Sequence, residues 1–183
     1  MGEAINLVEN FKVEKVIFNC GEFNDLEKEL IKVLVKKKIK YYSCINELDI
    51  DKNKLHFLQT KEYDNENDNS NVIYTELNGY KFMFMGDASV TTEKEILDKY
   101  NLPNIDVLKV GHHGSKTISS KEFINEINPK YSIISVGKNN RYGHPNKEVL
   151  DTLNDSKIYR TDQDGSIMFK IKNDKLEIET CSP

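Results

Sequence analysis

The sequence predicts one domain over residues 1–183, with an α/β fold whose helices and strands build mixed sheets. Three observations predict it. Two β-rich runs, at 72–77 and 80–85, flank Asn78-Gly79, the strongest short-range signal for an antiparallel hairpin. Between residues 91 and 154, helical and strand patterns alternate, the order that builds parallel pairs. Beyond residue 157 the chain reads again as short β runs, so antiparallel and parallel pairing are both expected.

Taken in order, residues 4–10 read as the end of a helix, and Val13–Phe18 as a strand closed by the turn signal Asn19-Cys20-Gly21. Asn24 or Asp25 caps a helix running to Lys37, whose Leu26, Leu30, Ile31, Leu34 and Val35 share one face at 3–4 residue spacing. The Lys36-Lys37-Lys38 run then falls where the helix dipole favours cations, so a solvated helix end is preferred to a nucleic-acid patch. Strands are expected at 39–44 and 54–59, a polar loop at 64–71, helices at 91–99, 120–128 and 146–154, and strands at 106–111 and 130–136. The closing β runs are 157–160, 166–171 and 176–179, with Asp164-Gly165 read as a hairpin turn between the first two.

The 183 residues suffice for a real core, and 31% of them are charged, in both signs. Apolar residues make up 38%, below the ~45–50% usual for globular chains, yet they come in compact runs, unlike a disordered chain. The net charge of −4 argues against a basic-patch binder of duplex DNA, though not against a nuclease whose metals supply positive charge. No run approaches the ~20 apolar residues of a membrane span, and no signal peptide is visible. Three cysteines without a Cys-x-x-Cys pattern read as reduced thiols in a cytoplasmic setting, with Cys20 and Cys44 as buried small hydrophobes.

Chemistry concentrates where strands end. Met85-Gly86-Asp87 closes an apolar strand on a carboxylate that could bridge two metals, or could simply cap the next helix. Gly111-His112-His113-Gly114-Ser115 places two imidazoles on a turn between glycines, where adjacent side chains can point the same way. Tyr142-Gly143-His144-Pro145 holds a third imidazole at a strand-to-helix junction, with Arg141 near enough to grip a phosphate. Thr161–Ser166 lacks the carboxylate spacing of a calcium loop, and His56, alone in a strand, reads as structural. Ser115 could in principle serve a Ser/His/Asp hydrolase, but no Gly-x-Ser-x-Gly elbow is present.

Together these strings resemble the metallo-β-lactamase fold of the ComEC-like group: Asn69-Ser70-Asn71-Val72, Phe84-Met85-Gly86-Asp87, Leu108–Lys116, Tyr142–Pro145 and Thr161–Ser166, over residues 69–171. The resemblance implies an αββα sandwich with a metal site at one edge. It implies two Zn or Mn ions and a hydrolase acting on phosphodiesters of nucleic acid or a nucleotide. It places Asp87, His112 and His144 as metal ligands, and His112 or His113 as ligand or proton donor. Ser115, Lys116 and Arg141 fall where substrate would be held. The family's His-x-(His/Asp)-x-Asp-His motif does not occur in the chain, which opens Met1-Gly2-Glu3-Ala4-Ile5 as the segment following that motif does. The expectation is therefore a fold missing its first strands, with one weakly held metal at most, little or no catalysis of its own, and an uncovered sheet edge prone to self-association. The alternative is a metal-free binding module that keeps the fold without its chemistry.

Overall fold

The computed structural model describes residues 3–58 and 60–182. Gln59, the last residue of the strand expected at 54–59, lies outside the described residues.

The N-terminal part is a small unit of its own. Helix α1 (Ala4–Asn10) leads to strand β1 (Lys15–Phe18), helix α2 (Asp25–Lys37) and strand β2 (Lys40–Ser43), and β1 pairs with β2 in parallel. Asn24, rather than Asp25, caps α2: its side chain accepts the Glu27 amide while the Glu27 carboxylate accepts the Asn24 amide. Val8, Phe18, Leu30 and Leu34 form this unit's buried core. Cys20 and Cys44 are joined by a disulfide that ties the end of β1 to the end of β2. This overturns the expectation of two reduced thiols. The parallel pairing of β1 with β2 brings residues 24 apart in sequence side by side, which residue spacing alone does not reveal.

The main body is a seven-stranded mixed sheet. Its strands are β3 (Glu47–Ile50), β4 (Asn53–Phe57), β5 (Ile73–Leu77), β6 (Tyr80–Phe84), β7 (Val107–Lys109), β8 (Tyr131–Ile134) and β9 (Lys157–Arg160), in sequential order across the sheet. The first four run antiparallel and the last four are parallel, the mixture expected from the sequence. The Asn78-Gly79 hairpin forms as predicted, with both residues at positive φ. Strand β3 was not foreseen, because Glu47-Leu-Asp-Ile50 carries little β-branched or aromatic character; its pairing with β4 creates it.

Register assigns the two faces. Met83, Leu108, Ser132 and Ile158 lie in one cross-strand row, and the first two join Ile134 under helices α3 (Val90–Lys99), α4 (Lys121–Ile127) and α5 (Lys147–Thr152). Ile96, Phe123, Ile127 and Leu153 supply the helical half of this core, all essentially without solvent contact. On the opposite face Phe82, Val107 and Tyr131 share a row. There the hairpin of β10 (Ser166–Lys172) and β11 (Lys175–Cys181) packs: Phe169 meets Tyr131 edge-on at 6.0 Å, and the Tyr80 hydroxyl donates to Asp174 O and accepts from Leu176 N.

The turn expected at Asp164-Gly165 is instead a single helical turn, α6 (Thr161–Asp164), fixed by Arg160 bonding to Asp162 and Asp164. β9 stays in the main sheet, and β10 pairs with β11 through Asn173-Asp174, both at positive φ. The second β layer is therefore this hairpin, and Phe84 on the same sheet face remains 43% exposed.

Candidate functional site

The parallel strands β6, β7 and β8 all end on one edge of the sheet, and each ends in a turn bearing a residue singled out from the sequence. Asp87 follows β6, the two histidines follow β7, and His144 follows β8 after a longer excursion. Ligands in open α/β sheets bind outside such carboxyl ends.

The first two turns are stitched together by main chain. The His112 amide donates to Gly86 O at 3.0 Å, and the Met85 amide to Lys109 O. The capping role considered for Asp87 belongs to others: Ser89 caps α3 by accepting from the Thr91 amide, and Asp68 accepts from the Ser89 amide. The Asp87 carboxylate has no hydrogen bond among the described residues, although its own amide is held by Ser70 Oγ at 3.0 Å. Its main chain is fixed and its acceptor oxygens are left over. That is an arrangement suited to a ligand.

Residues His112–Gly114 form one 3-10 turn with both histidines at positive φ. His113 Nδ1 lies 2.7 Å from Ser135 O. A carbonyl only accepts, so Nδ1 carries the proton, and in the neutral ring Nε2 keeps its lone pair for a ligand or proton. His112 and His144 meet with ring centroids 6.2 Å apart, and His112 and His113 with centroids 6.4 Å apart. The His144 backbone is clamped by Asn140, whose side chain accepts from the His144 amide and donates to its carbonyl. Burial, together with the nearby His112 and His113, holds the His144 imidazole below the usual histidine value. The turns are joined again where the Asn146 amide donates to Gly114 O at 2.8 Å.

Tyr142 lies exposed and stacks on His144 at 5.9 Å with the rings 19° apart, and the Arg141 guanidinium carbon lies 5.0 Å from the Tyr142 ring centroid while Arg141 donates to the Tyr142 hydroxyl. His113, Asn140, Tyr142 and His144 line a shallow cavity of about 190 Å3. Lys116 is exposed nearby in the chain. Ser115 is buried and its hydroxyl is bonded to Thr117 Oγ1, where it supports the turn.

Among the described residues, no three His, Cys, Asp or Glu side chains gather closely enough to hold a metal ion. The ligand set Asp87, His112 and His144 is therefore not assembled as a closed site. The structure brings two of its imidazoles together, while His113 Nδ1 is held by Ser135 O. The donor types fit a divalent ion; their number and convergence do not complete a coordination shell.

Sequence reasoning passed over several residues here. Lys109, in the same strand-to-turn string as the histidines, is half-buried; burial lowers its ammonium's usual pKa and the charge of Asp87 partly restores it. Its position immediately after two apolar strand residues was the available signal. Glu93 is buried under the segment after the histidines, where it accepts from the Ser119 and Ser120 amides. His56 Nδ1 lies 3.2 Å from the Glu47 carboxylate, and its ring lies against Tyr74.

No model of a known protein family matches the chain. It is 35% identical over 182 residues to ComE operon protein 3 of Bacillus subtilis, covering 94% of the chain and 23% of that protein. Competence protein ComA of Neisseria gonorrhoeae is 36% identical over 119 residues, covering 62% of the chain and 17% of that protein. Recombination protein 2 of Haemophilus influenzae is 33% identical over 116 residues, covering 62% of the chain and 14% of that protein. The chain thus spans less than a quarter of the length of each relative. Among solved structures, a protein from Thermotoga maritima assigned to the metallo-β-lactamase superfamily aligns with 66% of the chain and 56% of its own, at TM-score 0.36 and 20% identity. No helix among the described residues is long and apolar enough to cross a membrane. By its similarity along nearly its whole length, the chain is a homologue of one region of the competence proteins represented by ComE operon protein 3.

Proposed function

We propose that this chain contributes the Asp87, His112 and His144 side of a divalent-metal-dependent hydrolytic site, of metallo-β-lactamase type, acting on phosphodiester bonds in nucleic acid or a nucleotide. The observation that carries this reading is the meeting of His112 and His144, from two separate strand ends, with Asp87 on the neighbouring turn, whose Gly86 carbonyl accepts from the His112 amide. A bound Zn or Mn ion would supply Lewis acidity and a water ionised near neutral pH. His113, its Nδ1 proton committed to Ser135, offers Nε2 to accept or return a proton. Arg141 and Lys116 supply cations for a phosphate, and Tyr142 a flat exposed ring for a base. The relatives' association with competence supports nucleic acid as the substrate class.

Because three donors do not converge, the chain by itself is expected to bind metal weakly and to turn over little. That same observation favours a second reading, a metal-free binding module built on this fold. Hydrolysis of bis(p-nitrophenyl) phosphate, followed with added Zn2+ or Mn2+ in wild type, Asp87→Ala and His144→Ala, separates them. Metal-dependent turnover that both variants abolish supports the hydrolytic reading. Metal-independent behaviour, identical in all three, supports the binding module.

A further inference from the structure

The polar stretch Asp64–Asn71 reads from its sequence as a plain loop, yet its last residues hold the Asp87 turn. The Asp87 amide donates to Ser70 Oγ at 3.0 Å. Two residues earlier in the loop, Asp68 Oδ1 accepts from the Ser89 amide and from Thr92 Oγ1, both at 3.0 Å. Gly86 has φ +57, and a Cβ added there would lie 2.7 Å from Ser70 Cβ, so the turn rests directly on the serine. Three bonds from one loop thus span residues 87, 89 and 92, leaving the Asp87 carboxylate itself without a hydrogen bond.

The loop is held by its own hydrogen bonds. Asn69 is buried, and its side chain accepts from the Tyr63 amide and donates to the Tyr63 carbonyl, closing the loop on itself. The Asp68 and Ser70 amides donate to Asn65 O and Asn67 O. A Cβ at Gly21 would lie 3.0 Å from Asn69 Nδ2, so the loop is also packed against the disulfide-bonded segment of the N-terminal unit.

We propose that Asp68 and Ser70 are positioning residues for Asp87, with Ser70 setting the main chain at the carboxylate and Asp68 anchoring the start of the helix behind it. The loop would then be part of the site's machinery, and its worth to ligand binding would rest on the reading of Asp87 given under Proposed function. Residues that orient a metal ligand from behind typically cost 10–100-fold in affinity when removed.

The test measures amide hydrogen exchange by NMR and Mn2+ affinity in wild type, Ser70→Ala and Ser70→Thr, the last keeping the hydroxyl. Ser70→Ala is expected to speed exchange of the Asp87 amide about tenfold and to weaken Mn2+ binding by about the same factor. Exchange in β7, β8 and α4 should stay unchanged, and Ser70→Thr should keep both values near wild type. Unchanged exchange at Asp87 in Ser70→Ala overturns the proposal, as does an equal acceleration throughout the sheet, which would mark general destabilisation. If wild type binds no Mn2+, the proposed metal site fails, while the exchange data still decide whether Ser70 holds the Asp87 turn. Should Ser70→Ala not fold, Asp68→Asn carries the same comparison, read at the Ser89 and Asp87 amides.

Discussion

Replacing Gly114 by alanine would strike the contact that joins the two histidine turns. Gly114 has φ +79, and a Cβ there would sit 2.6 Å from Pro145 Cβ and 3.1 Å from Pro145 Cα. Carbon atoms rest at about 3.5–4.0 Å, so the chain must move. Pro145 has little freedom to yield, because Asn146 donates to Gly114 O on one side and Asn140 clamps His144 on the other. The left-handed backbone costs a side chain roughly 1–2 kcal/mol, and overpacking of a tight contact a further ~1–3 kcal/mol. A loss of about 2–5 kcal/mol is therefore expected from Gly114→Ala, a large part of the ~5–15 kcal/mol that holds a domain together. Urea denaturation with a common m-value measures it. Gly137→Ala is the control: a Cβ there meets nothing within 4 Å, so little loss or a slight gain is expected. If Gly114→Ala is no less stable than Gly137→Ala, the two histidine turns are not packed as described.

The Cys20–Cys44 disulfide closes a stretch 24 residues apart in sequence, so reduction should cost roughly 3 kcal/mol and lower the melting temperature; thiol titration of the native protein should find only the exposed Cys181, and three reactive thiols without any change in stability would contradict this. Burial pushes the Glu93 carboxyl above its ordinary value near 4.5, and the Ser120 and Ser119 amides pull it part of the way back. The folded state then binds this proton more tightly than the unfolded state, so the stability Glu93 adds is complete below 4.5 and declines as pH rises through the raised value. The deficit of Glu93→Gln against wild type should accordingly be largest at acidic pH and narrow as pH rises; a deficit that widens would refute the linkage. The open sheet face around Phe84 and the exposed edge strand β3 lead us to expect self-association at micromolar concentration. Sedimentation should find species heavier than the 21.2 kDa chain that Phe84→Ser reduces, whereas a lone monomer peak for wild type would remove that expectation.

Much of this architecture is written locally. Asn78-Gly79 sets its hairpin through its own backbone preferences, and the 3–4 spacing of Leu30 and Leu34 sets the buried face of α2, while Leu26 and Val35, expected on that face, lie exposed. What the sequence hid is long-range. β3 exists because β4 pairs with it, the disulfide because β1 pairs with β2, and α6 because Arg160 gathers Asp162 and Asp164 against a turn that Asp-Gly alone made look like a hairpin. The site divides in the same way. Asp87, His112, His113 and His144 stand out as residue types at strand ends, and the fold brings their turns to one edge. Their supports do not stand out. Ser70, Asn140 and Glu93 act through backbone amides distant in sequence or hidden in polar stretches, and a serine or asparagine in a loop carries no mark of which amide it will serve. The turn that presents the histidines folds the Ser115 hydroxyl inward onto Thr117, a placement its residue type does not announce.

Equilibrium dialysis against Zn2+, comparing wild type with Asp87→Ala and His144→Ala, tests the central claim most directly. The account predicts no more than one ion bound per wild-type chain, weakly, and a marked loss of binding in each variant. No binding by wild type, or binding that neither substitution alters, would contradict it.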